Sequence, residues 1–237
     1  MTSDVQSMPA RLLTRLGDQC DALFGPAVTA VLQRRFDRLW TGPAAALLVV
    51  ALAVAARTGP GHAFVMQHAV THPGDPLPVT LVRLPLSMFA PAALLPFWFA
   101  VLQVLVVFSL SQAVLGACRT LTVAMLGHTL ATLSAPMWLL AGPPLGLAHS
   151  FTHLRDAGPS AAVVTLLAFT AVTCRVDWLV VALVAYHLVE LGLVVSLASR
   201  EHLIGTVTGV VAATATAVAA RGTAPRRRSA RPAARSG

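Results

Sequence analysis

The chain has 237 residues, 56% of them hydrophobic and 11% charged, with a mean hydropathy of +0.74. Those values are too apolar for a soluble domain and point to a polytopic membrane protein. The formal net charge of +8 comes from seventeen arginines with no lysine. They gather near the chain ends as membrane-topology signals, so no nucleic-acid partner is implied, and the Ala/Val/Leu/Arg bias suggests a GC-rich bacterial genome.

Residues 1–42 read as a cytoplasmic lead-in. Leu12, Leu13, Leu16, Leu23, Phe24, Val31, Leu32 and Phe36 alternate with arginines and aspartates at roughly helical spacing, the pattern of a helix lying on the inner membrane surface. Charges run through this segment, which distinguishes it from a cleavable signal peptide. Residues 43–220 form the membrane domain, with six apolar stretches at about 43–57, 86–110, 120–141, 159–174, 178–198 and 202–220. The expected fold is therefore all-α, a six-helix membrane bundle.

Residues 58–82 join the first two stretches. Gly59, Pro60, Gly61, Pro73, Gly74, Pro76 and Pro78 predict an irregular loop there. The loop holds His62, His68 and His72, but their spacing in broken sequence does not predict a metal site. The fourth stretch is short and bounded by Asp156 and Arg175. A full span needs roughly 20 residues, so this helix fits the bundle centre, with its entry turn sunk into a protein-lined cavity. The fifth carries His187 and Glu190, three apart on one face, which predicts a buried His–Glu hydrogen bond or a polar path toward Ser160; the third carries His128. The tail, 221–237, reads as a disordered basic segment that contacts anionic lipid. Cys20, Cys118 and Cys174 are scattered and imply neither disulfides nor a metal site.

Arginine placement sets the orientation. With both termini inside, thirteen arginines lie on the cytoplasmic side, and Arg57, Arg83, Arg155 and Arg200 lie outside. The Asp156–Ser160 turn and Glu201–Gly205 each open a span, with one span between them, so both spans run in the same direction. Ser160 and His202 then sit level with each other toward the outer leaflet. A serine in a first helical turn is commonly a cap; next to an imidazole at equal depth, it can also be a nucleophile beside its base. Arg155 and Asp156 are expected to fix the turn by a salt bridge or hydrogen bonds.

These residues resemble the rhomboid family of intramembrane serine proteases, and look closest to its divergent actinobacterial members. Gly158-Pro159-Ser160-Ala161 stands where that family has GxSG. His202, Gly205 and Gly209 match its HxxGxxxG pattern, and Gln112 to Gly116 resembles its ExxxG turn with glutamine for glutamate. The resemblance covers residues 43–220. It implies a Ser160–His202 dyad, no metal or organic cofactor, and transmembrane protein substrates. Gly158 shapes the serine turn and is, with His149 and His153, a candidate substrate-binding residue. His149 and His153, beside the turn, are candidate substrate-facing replacements for the family's oxyanion donors, whose positions fall here at Pro96 and Ala100, and neither side chain can donate. Val164 stands where the family has an aromatic ring, and Ala161 replaces the second glycine of GxSG. The resemblance thus supports an intramembrane endopeptidase, or a pseudoprotease that binds membrane segments without cutting them. A carrier built around His128, His187 and Glu190 lacks the internal repeats such proteins show.

Overall fold

A computed structural model describes residues 8–91, 96–143 and 147–222. The described residues contain nine α-helices and no strand. The helices are α1 (Met8–Leu32), α2 (Thr41–Ala55), α3 (Gly59–His68), α4 (Leu77–Ser87), α5 (Phe97–Leu115), α6 (Ala117–Ala141), α7 (Ser160–Thr173), α8 (Asp177–Leu193) and α9 (Leu197–Gly222). Three of them, α5, α6 and α9, are long and apolar enough to cross a membrane. Of the tail, Arg221 and Gly222 complete α9; residues 223–237 lie outside the described residues.

α1 is the amphipathic helix that the spacing predicts. Leu23 and Ala30 are buried, while Leu12, Leu13, Leu16, Phe24, Val28, Val31 and Leu32 are exposed, and the helix packs on α5. α2 is held at its start by Gln112 of α5. The Thr41 N–H donates to Gln112 Oε1 (2.7 Å), and Gln112 Nε2 donates to the Asp37 carbonyl (3.0 Å). The glutamine of the QxxxG turn is thus a clamp between the chain entering α2 and the end of α5.

The segment 58–82, expected to be irregular, is largely helical. Pro60 and Pro78 fall in the first turns of α3 and α4, where a missing N–H costs nothing because it would have no intrahelical partner. Thr58 caps α3 by accepting from the Gly61 N–H at 3.2 Å. The stretch 86–110 is correspondingly not one element: α4 ends at Ser87, and α5 begins at Phe97 behind Pro96.

α7 occupies the centre and packs against α5, α6, α8 and α9. Leu166, Ala168 and Phe169 along it are almost wholly buried. Glycines let its neighbours close on it from two sides. A β-carbon on Gly127 of α6 would overlap the Thr165 side chain. One on Gly205 of α9 would lie 2.9 Å from the Ala161 oxygen, and one on Gly209 would lie 2.8 Å from Ala168 Cβ. Thr165 sits between these glycines, its hydroxyl within 2.7 Å of the Ala161 carbonyl and 2.9 Å of the Gly205 carbonyl. Backbone carbonyls of two helices thus share one hydroxyl proton, which is possible because no β-carbon separates them.

Candidate functional site

The glycine contacts fix the register of α7 against α9. Gly205 abuts the turn Ala161–Thr165 and Gly209 abuts Thr165–Phe169, so the contacts advance by four residues on each helix. The helices are therefore parallel. Moving three residues back along each, from the middle of the Ala161–Thr165 turn and from Gly205, arrives at Ser160 and His202. The two sit at the same level, about 4.5 Å above the Gly205 contact.

The turn that delivers Ser160 is buried and tied down. Thr71 and Asp156 exchange backbone hydrogen bonds (3.0 and 2.8 Å) as an antiparallel bridge, and the Gly158 N–H donates to the Ser87 carbonyl at 2.9 Å. The Ser87 hydroxyl in turn lies 2.8 Å from His128 Nε2 of α6. Gly158 has φ +131°, a conformation that side-chain-bearing residues rarely adopt. Asp156 accepts from the Thr71 hydroxyl at its carbonyl (2.9 Å) and carboxylate (3.4 Å) instead of pairing with Arg155, which is exposed, and Thr132 and Glu201 also act on its carboxyl.

Ser160 is the first residue of α7 and does not cap it. Its hydroxyl makes no hydrogen bond among the described residues, and no hydrogen bond joins it to His202. Val163 is the first residue of α7 to make a ladder bond, to the Pro159 carbonyl (2.9 Å), so the N–H groups of Ser160, Ala161 and Ala162 precede the ladder.

α9 opens earlier than the sequence suggests. Ser196 caps it by accepting from the Ser199 N–H at 3.1 Å, so Leu197 is its first residue and His202 stands in its second turn. From there the imidazole turns toward α8. His202 Nδ1 lies 3.1 Å from Glu190 Oε2 and 3.3 Å from Oε1, and its ring centroid is 5.5 Å from that of His187. His202 Nε2 is buried without a hydrogen-bond partner among the described residues. The expected His187–Glu190 bond does not form: Glu190 pairs with His202, and His187 Nδ1 lies 2.9 Å from Thr206 Oγ1. Both pairings cross from α8 to α9, because the hairpin brings the two helices face to face.

The remaining candidates lie apart. His149 and His153 are exposed on a short 3-10 helix (His149–His153), with His149 Nδ1 3.3 Å from the Thr152 hydroxyl of its own turn. Ala100 is buried and Pro96 precedes α5. Each loop histidine has its own partner: His62 meets the Ala56 carbonyl, His68 packs on Phe64, and His72 lies 3.4 Å from Asp75.

Two features were not predicted from sequence. The first is Glu190 as the acid behind His202. The second is the carboxyl pair of Asp156 and Glu201, both buried and close enough that each acts on the other's charge. Two carboxylates both accept and neither donates, so the pair coheres only with a proton between them. Burial pushes the Asp156 carboxyl above its ordinary range, with bonds from Glu201, Thr71 and Thr132 and the nearby His72 pulling the other way. Thr132 also lines a cavity of about 150 Å³ with His72, Asp75 and Thr80. The signal for Glu201 was its place four residues before Gly205, on the stripe that faces α7.

Comparison with protein-family models, curated proteins and solved structures finds no match. Function rests on the geometry.

Proposed function

We propose that this chain is a rhomboid-like intramembrane serine hydrolase in which Ser160 is the nucleophile, His202 the base and Glu190 the acid that orients it. One observation carries the reading. The His202 imidazole is held at Nδ1 by a carboxylate and keeps a buried, unpaired Nε2 level with a serine hydroxyl not spent on capping. A carboxylate at Nδ1 fixes the tautomer with the lone pair on Nε2 and stabilises the imidazolium that forms when Nε2 takes a proton.

In this reading α2, α5, α6, α7, α8 and α9 cross a bacterial plasma membrane with both termini cytoplasmic. The Ser160 turn then faces the outer leaflet. α7 is 14 residues long, about 21 Å, too short to span alone, and its buried entry turn is supported by the α3–α4 region. A substrate transmembrane segment unwinds beside α5 and α8. Ser160 attacks the carbonyl, His202 passes the proton to the leaving amine, and water hydrolyses the acyl-enzyme. The free N–H groups at the start of α7 face the developing oxyanion.

A second reading, a binding protein for transmembrane clients, is favoured by the missing Ser160–His202 hydrogen bond and by Pro96 and Ala100 at the donor positions. A fluorophosphonate probe on the detergent-solubilised protein separates the two. Labelling lost in Ser160→Ala supports the hydrolase; labelling absent from both proteins supports the binding protein.

A further inference from the structure

Glu190 and His202 have roles in the proposed chemistry, but His187 has none. It is nonetheless buried between α8 and α9 and held by Thr206. We propose that His187, Glu190 and His202 form a three-ligand site for one divalent transition-metal ion of the zinc class.

The geometry supports this in four ways. First, one ligand atom from each residue lies within 4.8 Å of the other two. Four-coordinate zinc with bonds of ~2.1 Å sets its ligand atoms ~3.4 Å apart. The Glu190–His202 edge is already 3.1 Å, so bringing the third residue into the triangle is a matter of side-chain rotation. Second, two imidazoles and one carboxylate form a donor set suited to zinc and its first-row neighbours, with one position left open. Third, a metal-bound histidine usually has its other ring nitrogen held by a polar group. Thr206 holds His187 Nδ1 in this way, leaving Nε2 for a ligand. Fourth, the ligands come from a short hairpin. α8 ends at Leu193 and α9 starts at Leu197, with the Ser196 cap between them, so the ligand spacing is set by one tight turn.

Where the hydrolase reading holds, the ion also acts as its off-switch. Metal on His202 Nδ1 leaves the ring proton on Nε2, and His202 can then no longer accept one from Ser160. Binding itself does not depend on that reading.

The test is a titration of the full-length, chelator-treated protein in detergent with Co²⁺, followed by displacement with Zn²⁺. The expected result is a visible absorption band saturating at one Co²⁺ per chain, lost on adding Zn²⁺, with a raised thermal midpoint. Ser160→Ala binds like the wild type. His187→Ala and Glu190→Gln each lower affinity at least ~10-fold while keeping the metal-free thermal midpoint within a few degrees of the wild type. Should His187→Ala fail to fold, Glu190→Gln carries the comparison alone, since it preserves shape. Absence of stoichiometric binding overturns the site. So does binding that survives Glu190→Gln unchanged, which would assign the metal to the exposed histidines at 62, 68, 149 or 153. Fluorophosphonate labelling with and without Zn²⁺ reads the switch separately. Failure of the metal-free protein to label at Ser160, with metal binding intact, overturns the hydrolase alone, and labelling indifferent to saturating Zn²⁺ overturns the switch alone.

Discussion

Replacing Gly209 with alanine tests whether the α7–α9 contact sets the site. The added β-carbon would overlap the Thr165 carbonyl oxygen and lie 2.8 Å from Ala168 Cβ and 3.0 Å from the Phe169 nitrogen. Two apolar carbons rest at about 3.8 Å, so α9 must move roughly 1 Å away from α7. Two of the three atoms in the way belong to the backbone, and no side-chain rotation relieves them. Overpacking of this kind costs about 1–3 kcal/mol, which for a chain of this size lowers the thermal midpoint by roughly 2–12 °C. The same movement draws His202, two turns above, away from Ser160. A misplacement of about 1 Å costs on the order of 100-fold in rate, so fluorophosphonate labelling should slow by that order. Gly192→Ala on α8 is the control. Nothing lies within 4 Å of a β-carbon there, so it should be neutral or stabilise by up to about 1 kcal/mol. The assay pairs thermal unfolding in detergent, followed by circular dichroism, with the labelling rate. A Gly209→Ala protein that melts with the wild type would show that the α7–α9 contact is looser than described here.

Two further outcomes follow from the serine turn and the carboxyl pair. Gly158→Ala forces a β-carbon onto a backbone with φ +131° and should cost about 1–3 kcal/mol; an unchanged midpoint would mean the turn relaxes freely. Asp156 has its carboxyl pushed above the ordinary 3.8 by burial, so the folded state holds its proton more tightly than the unfolded chain does. That contribution is complete below pH 3.8 and is lost as pH rises through the raised value, at up to about 1.4 kcal/mol per pH unit for one proton. Thermal midpoints should therefore fall as pH rises above about 4, and Asp156→Asn should flatten the slope, because its amide can donate to an ionised Glu201. An identical slope in the variant would remove Asp156 as its source.

What was legible in the sequence was local. Apolar runs of helical length located α2 and α5 to α9, and the amphipathic spacing before residue 33 located α1. Gly205 and Gly209, four apart, marked the stripe on which α9 meets α7, because absent β-carbons at that spacing leave a strip along one helix face whatever lies opposite. Prolines in 58–82 misled, since their effect depends on position: in the first turn of a helix the missing N–H has no intrahelical partner to lose. The partners of the polar groups were decided by tertiary structure alone. His187 and Glu190 are neighbours in sequence, but each bonds across the hairpin, to Thr206 and His202. Asp156 passes over the adjacent Arg155 for Glu201, forty-five positions away. Periodicity states which face of a helix a side chain occupies, but a hydrogen bond needs two faces to meet at the same height and angle, and only the packed helices fix that.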